Sequence, residues 1–188
     1  MLDTNQRIIA FQELVNVAND SFLVDINLVI DYLNNLGYFD APASTKYHLA
    51  YSGGLFEHSL GVTKELLFLT KNEKLIWQKK DSPILIGLFH DLCKADAYVR
   101  NPITGGYMYN TTQKVQGHGD KSIMYLDDMS DKGLIRPITD EERLCIRWHM
   151  GSFDDKTNWT YYTDAIHKFP NVLWTHVADM VSAHIREL

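Results

Sequence analysis

Four histidines and two aspartates occur in sequence contexts where their side chains could bind a metal ion. The histidines lie in the segments FEHSL, LFHDL, GHGDK and RWHMG, and the aspartates lie in LFHDL and VADMV. Imidazole nitrogens and carboxylate oxygens together form a mixed ligand set that suits Mn, Fe, Co, Ni or Zn, and also Mg if few imidazoles bind directly. The six candidates are His58, His90, Asp91, His118, His149 and Asp179.

The adjacent pair His90-Asp91 is the most informative element of this set. It follows the apolar run Ile-Gly-Leu-Phe, where burial of a carboxylate is expensive unless a partner neutralises it. A divalent cation would neutralise the carboxylate and also accept the imidazole nitrogen as a ligand. The alternative is a helix end at which both side chains simply reach water.

Composition and charge narrow the classes of protein that need be considered. The 188 residues suffice for one domain with a sizeable core. The formal net charge is −6, which argues against extended nucleic-acid binding. No apolar stretch approaches the roughly 18 residues that a membrane span needs, and the N-terminus lacks the features of a secretory signal, so we expect no membrane association and a cytoplasmic protein. Cys93 and Cys145 form no C-x-x-C pair and are predicted to be buried free thiols.

The hydrophobic period is helical along most of the chain, which predicts an all-α fold. One β-hairpin is expected near 98–112, where aromatic and β-branched residues flank Gly105-Gly106. Residues 38–52 and 152–160 are interpreted as loops. Ser82 is predicted to cap a helix that continues to Lys94. The expected helices cover residues 8–15, 23–36, 54–70, 84–94, 122–129, 139–150 and 171–186.

The ordered segments GGLFEHSLGV, LIGLFHDLCKAD, GHGDKS, IRWHMG and ADMVSA resemble the HD-domain phosphohydrolase superfamily, whose pattern is a histidine, a His-Asp pair, two histidines and a distal aspartate. The similarity covers about residues 45–185 and is greatest to the subgroup with GGL-x-EH and GH-x-x-x-S motifs, which includes phage-borne and exoribonuclease-associated proteins. It implies a single HD-domain helical bundle over residues 1–188, with residues 1–44 as an N-terminal helical cap and residues 45–188 as the metal-binding core.

The resemblance also implies roles for the candidate residues. The chain would hold one or two divalent metal ions. The first would be bound by His58, His90, Asp91 and Asp179. Asp91 would bridge to a second metal, which His118 and His149 would also bind. Lys94 would be a catalytic residue with Asp91 and could contact a substrate phosphate, and its position four residues after His90 predicts that both share a helix face. Alternatively it is a C-terminal lysine that faces the helix dipole.

The implied activity is hydrolysis of a phosphomonoester or phosphodiester by metal-activated water, on a small phosphorylated substrate of the nucleotide type. Two alternatives stay open: a nuclease acting on short single-stranded nucleic acid, and a non-catalytic HD module that binds a nucleotide.

Several residues are weaker candidates. Ser122 could reach a phosphate or cap a helix, His176 could support a ligand, and Arg147 could pair with a surface carboxylate. The resembled subgroup tends to carry a histidine pair at the position of His48. Here Leu49 follows His48 instead, which puts a role for His48 in doubt. The hairpin tyrosines Tyr98, Tyr107 and Tyr109 could stack on a base or simply pack locally.

Overall fold

The computed structural model describes residues 2–17, 22–113 and 117–187, and within these ranges the fold is all-α with one small β-hairpin, as predicted. The helices are α1 (Thr4–Asn16), α2 (Ile26–Leu36), α3 (Gly54–Asn72), α4 (Ser82–Phe89), α5 (His118–Asp131), α6 (Asp140–Arg147), α7 (Trp159–Lys168) and α8 (Asn171–Val181). The hairpin consists of β1 (Tyr98–Arg100) and β2 (Tyr107–Tyr109), antiparallel with Tyr98 opposite Tyr109.

Helix α4 forms the centre of the core, because every one of its eight residues is buried. It packs along α3, and Gly87 allows this close approach: a Cβ at that position would lie 2.4 Å from Oγ1 of Thr63. Helix α3 also contacts α8. The two helices that carry His58 and Asp179 are therefore brought against each other, beside the end of α4 that carries His90.

The long connection between α2 and α3 is a loop, as predicted, and a buried arginine ties it to the first helix. Arg7 of α1 donates hydrogen bonds from its guanidinium to the carbonyl oxygens of Phe39 (3.0 Å) and Ser52 (2.9 Å). Helix α2 ends at Leu36 and is followed by Gly37, whose φ of 90° lies in the left-handed region that favours glycine. This anchoring fixes the segment that carries His48 next to the start of α3.

The central helix ends earlier than the sequence indicates. The prediction of a continuous helix to Lys94 is wrong: α4 ends at Phe89, Asp91 has a φ of −106° and a ψ of 19°, and a 3-10 turn follows over Leu92–Ala95. The N-cap prediction for Ser82 is also wrong, because Asp81 occupies that position and the Ser82 hydroxyl donates to Glu142 at 2.7 Å. An apolar run cannot reveal this break, since its residues suit either helix type.

The segment 139–168 departs furthest from the predicted helices. The capping box at the start of α6 is present, with Thr139 and Glu142 bonding each other's main chain, but the helix ends at Arg147 rather than Met150. The predicted loop at 152–160 is largely wrong, because 3-10 turns cover Gly151–Phe153 and Lys156–Asn158 and α7 begins at Trp159. Aromatic and threonine residues are moderate helix formers, and α7 is supported by packing, including buried Ala165 and the ring of Tyr162 against Trp148.

Among the described helices, none combines the length and the apolar character that crossing a membrane requires.

Candidate metal centre

Five side chains converge in a buried group that we call the histidine–aspartate cluster: His58, His90, Asp91, His149 and Asp179. His58 lies in the second turn of α3, and Asp179 lies in α8. His90 and Asp91 follow the last residue of α4, and His149 comes two residues after α6 ends. All five were candidates from the sequence, and the fold brings them together from four separate elements.

The donor atoms of the cluster face one another at the spacing of metal ligands. His58 Nε2 lies 3.1 Å from Asp179 Oδ1 and 3.2 Å from His90 Nε2. Asp91 Oδ2 lies 3.6 Å from the Nε2 atoms of both histidines. Ligands about 2.0–2.2 Å from one metal ion lie roughly 3.0–3.6 Å apart in octahedral or tetrahedral geometry. These four separations lie within that range, while His90 Nε2 and Asp179 Oδ1 are 3.9 Å apart, so the donor atoms are close enough together to surround a single ion.

The tautomers of two histidines are set by the main chain. His90 Nδ1 lies 2.9 Å from the carbonyl oxygen of Gly87, and His149 Nδ1 lies 2.7 Å from that of Ile146. A carbonyl oxygen can only accept, so each Nδ1 carries the proton. Each Nε2 lone pair is therefore directed into the cluster, where a metal ion would use it.

Two buried atoms of the cluster have no hydrogen-bond partner among the described residues. They are Asp91 Oδ1 and His149 Nε2, which lie 3.4 Å apart. Buried polar atoms are normally paired, and an unpaired one is a position where a bound water or ion is expected. Asp91 thus offers Oδ2 to the His58 side and Oδ1 to the His149 side, which is the arrangement that a bridging carboxylate needs.

His118 lies at the rim of the cluster rather than inside it. It is the exposed first residue of α5, and its Nδ1 lies 3.5 Å from Cys93 Sγ. Ligand atoms of Asp91, Cys93 and His118 all lie within 4.8 Å of one another. Cys93 is buried as predicted, and burial raises the pKa of its thiol to about 12. Its closeness to a ligand candidate was missed, because Cys93 and His118 are distant in the sequence.

The pKa values of the side chains in the cluster are strongly shifted. Burial would raise the pKa of Asp91, but the Lys94 ammonium and the surrounding histidines hold it well below its usual range. Burial also opposes protonation of His58, yet hydrogen bonds with Asp179 and Glu187 raise its pKa to about 9. Burial lowers the pKa of His90 to about 4, despite the two aspartates nearby. Such divergent shifts among neighbouring groups are typical of functional sites.

A cavity of about 150 Å³ opens next to the cluster. One side is polar and includes Lys94, whose Nζ lies 2.6 Å from Asp91 Oδ2. The prediction that Lys94 shares a helix face with His90 is wrong, because the 3-10 turn directs it to Asp91 instead. The remaining lining residues are His48, His58, Asp91, Met150, Phe153, Asp179, Met180, Ala183 and His184. A larger apolar groove of about 670 Å³ lies between α5, α6 and α7 and includes no member of the histidine–aspartate cluster.

The weaker candidates have varied roles. Ser122 neither caps a helix nor faces the cavity, since its buried hydroxyl accepts a hydrogen bond from the main-chain N–H of Cys93 at 3.1 Å. Arg147 pairs with Asp120 and Asp154, as suggested. His176 contacts the main chain of a ligand candidate, because its Nδ1 lies 2.8 Å from the main-chain oxygen of His149.

The aromatic residues at the cavity are not those that the sequence indicated. Tyr98 and Tyr109 pack against each other with ring centroids 5.4 Å apart, and Tyr107 lies under Arg100. None of the three lines the cavity, whereas Phe153 does. His48 does as well, and its ring centroid lies 5.2 Å from that of His58.

Glu187 was missed entirely. Its Oε1 lies 2.9 Å from Nδ1 of His58, the opposite side of the ring from the cluster. The only sequence signal is a carboxylate eight residues beyond Asp179, which does not correspond to whole helical turns.

Comparison of the chain with protein-family models, with curated proteins and with solved structures finds no match.

Proposed function

We propose that this protein is a metal-dependent phosphohydrolase that cleaves a phosphomonoester or phosphodiester of a small, nucleotide-like substrate. The observation that carries the proposal is the histidine–aspartate cluster, whose inward-facing donor atoms are spaced as the ligands of a metal ion. The order of its residues along the chain, which resembles the HD-domain pattern, supports the same conclusion.

The side chains present fit one or two divalent ions. The first would be held by His58, His90, Asp91 and Asp179. A second would use Oδ1 of Asp91 together with His149 and His118, and the unpaired state of Asp91 Oδ1 and His149 Nε2 supports it. A mixed set of imidazoles and carboxylates favours Mn, Fe, Co, Ni or Zn over Mg.

A divalent metal supplies a Lewis acid that makes water a nucleophile near neutral pH and neutralises charge on the phosphoryl oxygens. The protein supplies the remaining functions. Lys94 lines the cavity and can donate hydrogen bonds to a phosphate oxygen once Asp91 is neutralised by metal. The burial of Asp91 and the histidines limits the water that competes for these polar groups.

The cavity has the size of a phosphate group and its immediate surroundings rather than of a whole nucleotide. Its volume of about 150 Å³ is below the range of roughly 300–1,000 Å³ for sites that enclose a drug-sized ligand. It can therefore enclose the phosphate and the adjoining group, with the rest of the substrate lying across the exposed ring of Phe153. The net charge of −6 also disfavours a long nucleic-acid strand.

The proposal is tested by stripping the purified protein of metal and following hydrolysis chromatographically: nucleoside and phosphate from nucleoside monophosphates, and shorter or linear nucleotides from cyclic dinucleotides and short oligonucleotides. Each substrate is assayed with Mn²⁺, Ni²⁺ and Mg²⁺. We expect hydrolysis of the small substrates with at least one metal. Activity restricted to oligonucleotides would contradict the proposed substrate class, and binding without turnover of any substrate would contradict the proposed enzymatic activity.

The variants His90→Ala and Asp91→Ala should abolish metal-dependent turnover, because each removes a ligand of the first metal. His167→Ala is the matched control, since His167 is exposed on α7 and does not line the cavity. Equal activity in His90→Ala and His167→Ala would mean that the cluster is not the catalytic centre.

A further inference from the structure

The buried histidines of the cluster differ in what orients their rings. The Nδ1 atoms of His90 and His149 face main-chain carbonyl oxygens. That of His58 instead faces a carboxylate, with Glu187 Oε1 at 2.9 Å. A carboxylate that accepts the second N–H of a metal-binding histidine fixes the tautomer and increases the basicity of the other nitrogen. His58 is the cluster histidine whose Nε2 lies closest to Asp179.

A local change of helix type brings Glu187 to this position. After Val181, the chain forms a π-helical turn over Ser182–Arg186. The main-chain N–H of Glu187 donates to the carbonyl oxygen of Ser182 at 3.1 Å, a bond that spans five residues. The Ser182 hydroxyl donates to Glu187 Oε1 at 2.7 Å. Single π turns are rare and are often found at functional sites.

Helix α3 is shaped to accept this turn. Gly61 lies three residues after His58, and a Cβ there would lie 2.5 Å from Ser182 Oγ and 3.3 Å from Glu187 Oε1. The absence of a side chain at Gly61 therefore lets the serine and the glutamate approach the helix that carries His58.

We propose that Glu187 is a positioning residue for the first metal. Its carboxylate accepts a hydrogen bond from the Nδ1–H of His58 and so holds the Nε2 lone pair towards Asp179 and His90. The inference rests on the metal-binding part of the proposed function, and it does not depend on which phosphoester is cleaved. Other carboxylates in such positions contribute about 10- to 100-fold to metal affinity.

A competing explanation is that Glu187 binds a metal directly. Glu187 Oε2 and His48 Nε2 are both buried and lack a hydrogen-bond partner in the described part of the chain. Ligand atoms of His48, His58 and Glu187 lie within 4.8 Å of one another. Direct binding would require His58 to give up its Nδ1 proton, whereas positioning keeps that proton and uses Nε2 alone.

The test is isothermal titration of Mn²⁺ into the metal-stripped full chain. We expect Glu187→Ala to weaken binding by about 10- to 100-fold. Glu187→Gln should recover most of the affinity, because its amide oxygen still accepts the Nδ1–H bond. Glu73→Ala is the control, since Glu73 is exposed at the end of α3, and it should bind as the wild type does.

The outcomes separate the explanations. Equal affinity of Glu187→Ala and wild type overturns the inference and leaves the proposed function standing, whereas failure of the wild type to bind Mn²⁺ overturns both. If His48→Ala weakens binding as strongly as Glu187→Ala, the two residues are ligands and positioning is refuted. If Glu187→Ala does not fold, Ser182→Ala provides the test, because it removes only the hydroxyl that fixes Glu187 Oε1. Ser182→Ala should weaken Mn²⁺ binding by a measurable factor of less than ten, and unchanged binding would overturn the inference.

Discussion

The metal-free protein should depend strongly on the ion pair between Asp91 and Lys94. Nζ of Lys94 lies 2.6 Å from Asp91 Oδ2, and the two side chains are only 12% and 2% exposed. Removal of Asp91 leaves a buried ammonium without its carboxylate. We therefore expect Asp91→Ala to destabilise the protein even when no metal is present to be lost.

The size of the effect follows from the geometry. Two unit charges 2.6 Å apart attract by about 6 kcal/mol at an effective dielectric constant of about 20. Part of this attraction offsets the desolvation of both groups, and removal of one partner of a buried pair typically costs about 3–5 kcal/mol. Lys94→Met keeps most of the apolar stem and removes the charge. The loss of unfolding free energy in the double variant should therefore be smaller than the sum of the losses in Asp91→Ala and Lys94→Met, by about 2 kcal/mol.

Urea unfolding of the wild type, the two single variants and the double variant in EDTA measures this coupling energy. The free energy of unfolding of each protein is obtained from the far-ultraviolet circular dichroism signal. A coupling energy below about 0.5 kcal/mol would refute the reasoning, because contacting residues in one ion pair should exceed that value.

Three further predictions concern metal binding and the support of its ligands. Mn²⁺ at about 100 times its Kd should raise the Tm of the wild type by about 5–11 °C in differential scanning calorimetry, and His90→Ala should lose this shift. The pKa of His58 is about 9, so Mn²⁺ must displace a proton from His58 at any lower pH. The affinity for Mn²⁺ should therefore rise from pH 7 to pH 9 by up to about tenfold per pH unit and level off above pH 9. Titration calorimetry in two buffers would detect the released proton. Gly151→Ala should lower the Tm and weaken Mn²⁺ binding, because φ at Gly151 is 54° and the new Cβ would lie 2.6 Å from the ring of His176. That ring bonds the main chain of His149, so unchanged Mn²⁺ binding would show that His176 does not support His149.

The ligand candidates could be predicted from the sequence because each is a chemically distinctive residue in an apolar context. His90 and Asp91 follow a buried run, and a carboxylate there needs a partner. The all-α class and the hairpin followed from periodicity and from Gly105-Gly106. What periodicity cannot give is the type of each helical turn, since α, 3-10 and π turns use the same residues.

The predictions from sequence were wrong mainly at the ends of helices, where the type of helical turn changes. The 3-10 turn after α4 directs Lys94 to Asp91, and the π turn after α8 brings Glu187 to His58. Both turns pack against other helices around the cluster, since the 3-10 turn contacts α5 and the π turn contacts α3. The contact between Cys93 and His118 was hidden for a related reason, because α5 must pack against the 3-10 turn before the two side chains meet.

The most direct test of the central claim is a single Mn²⁺ titration of metal-stripped protein in which phosphate release from a nucleoside monophosphate and Mn²⁺ binding are measured on the same samples. The rate of release should be negligible without Mn²⁺ and should follow the occupancy of the cluster, with half-maximal rate at the Kd. In His90→Ala both curves should move together to much higher Mn²⁺ concentrations. A rate that is independent of Mn²⁺, or one that His90→Ala leaves unchanged, would contradict a catalytic metal centre at His58, His90, Asp91 and Asp179.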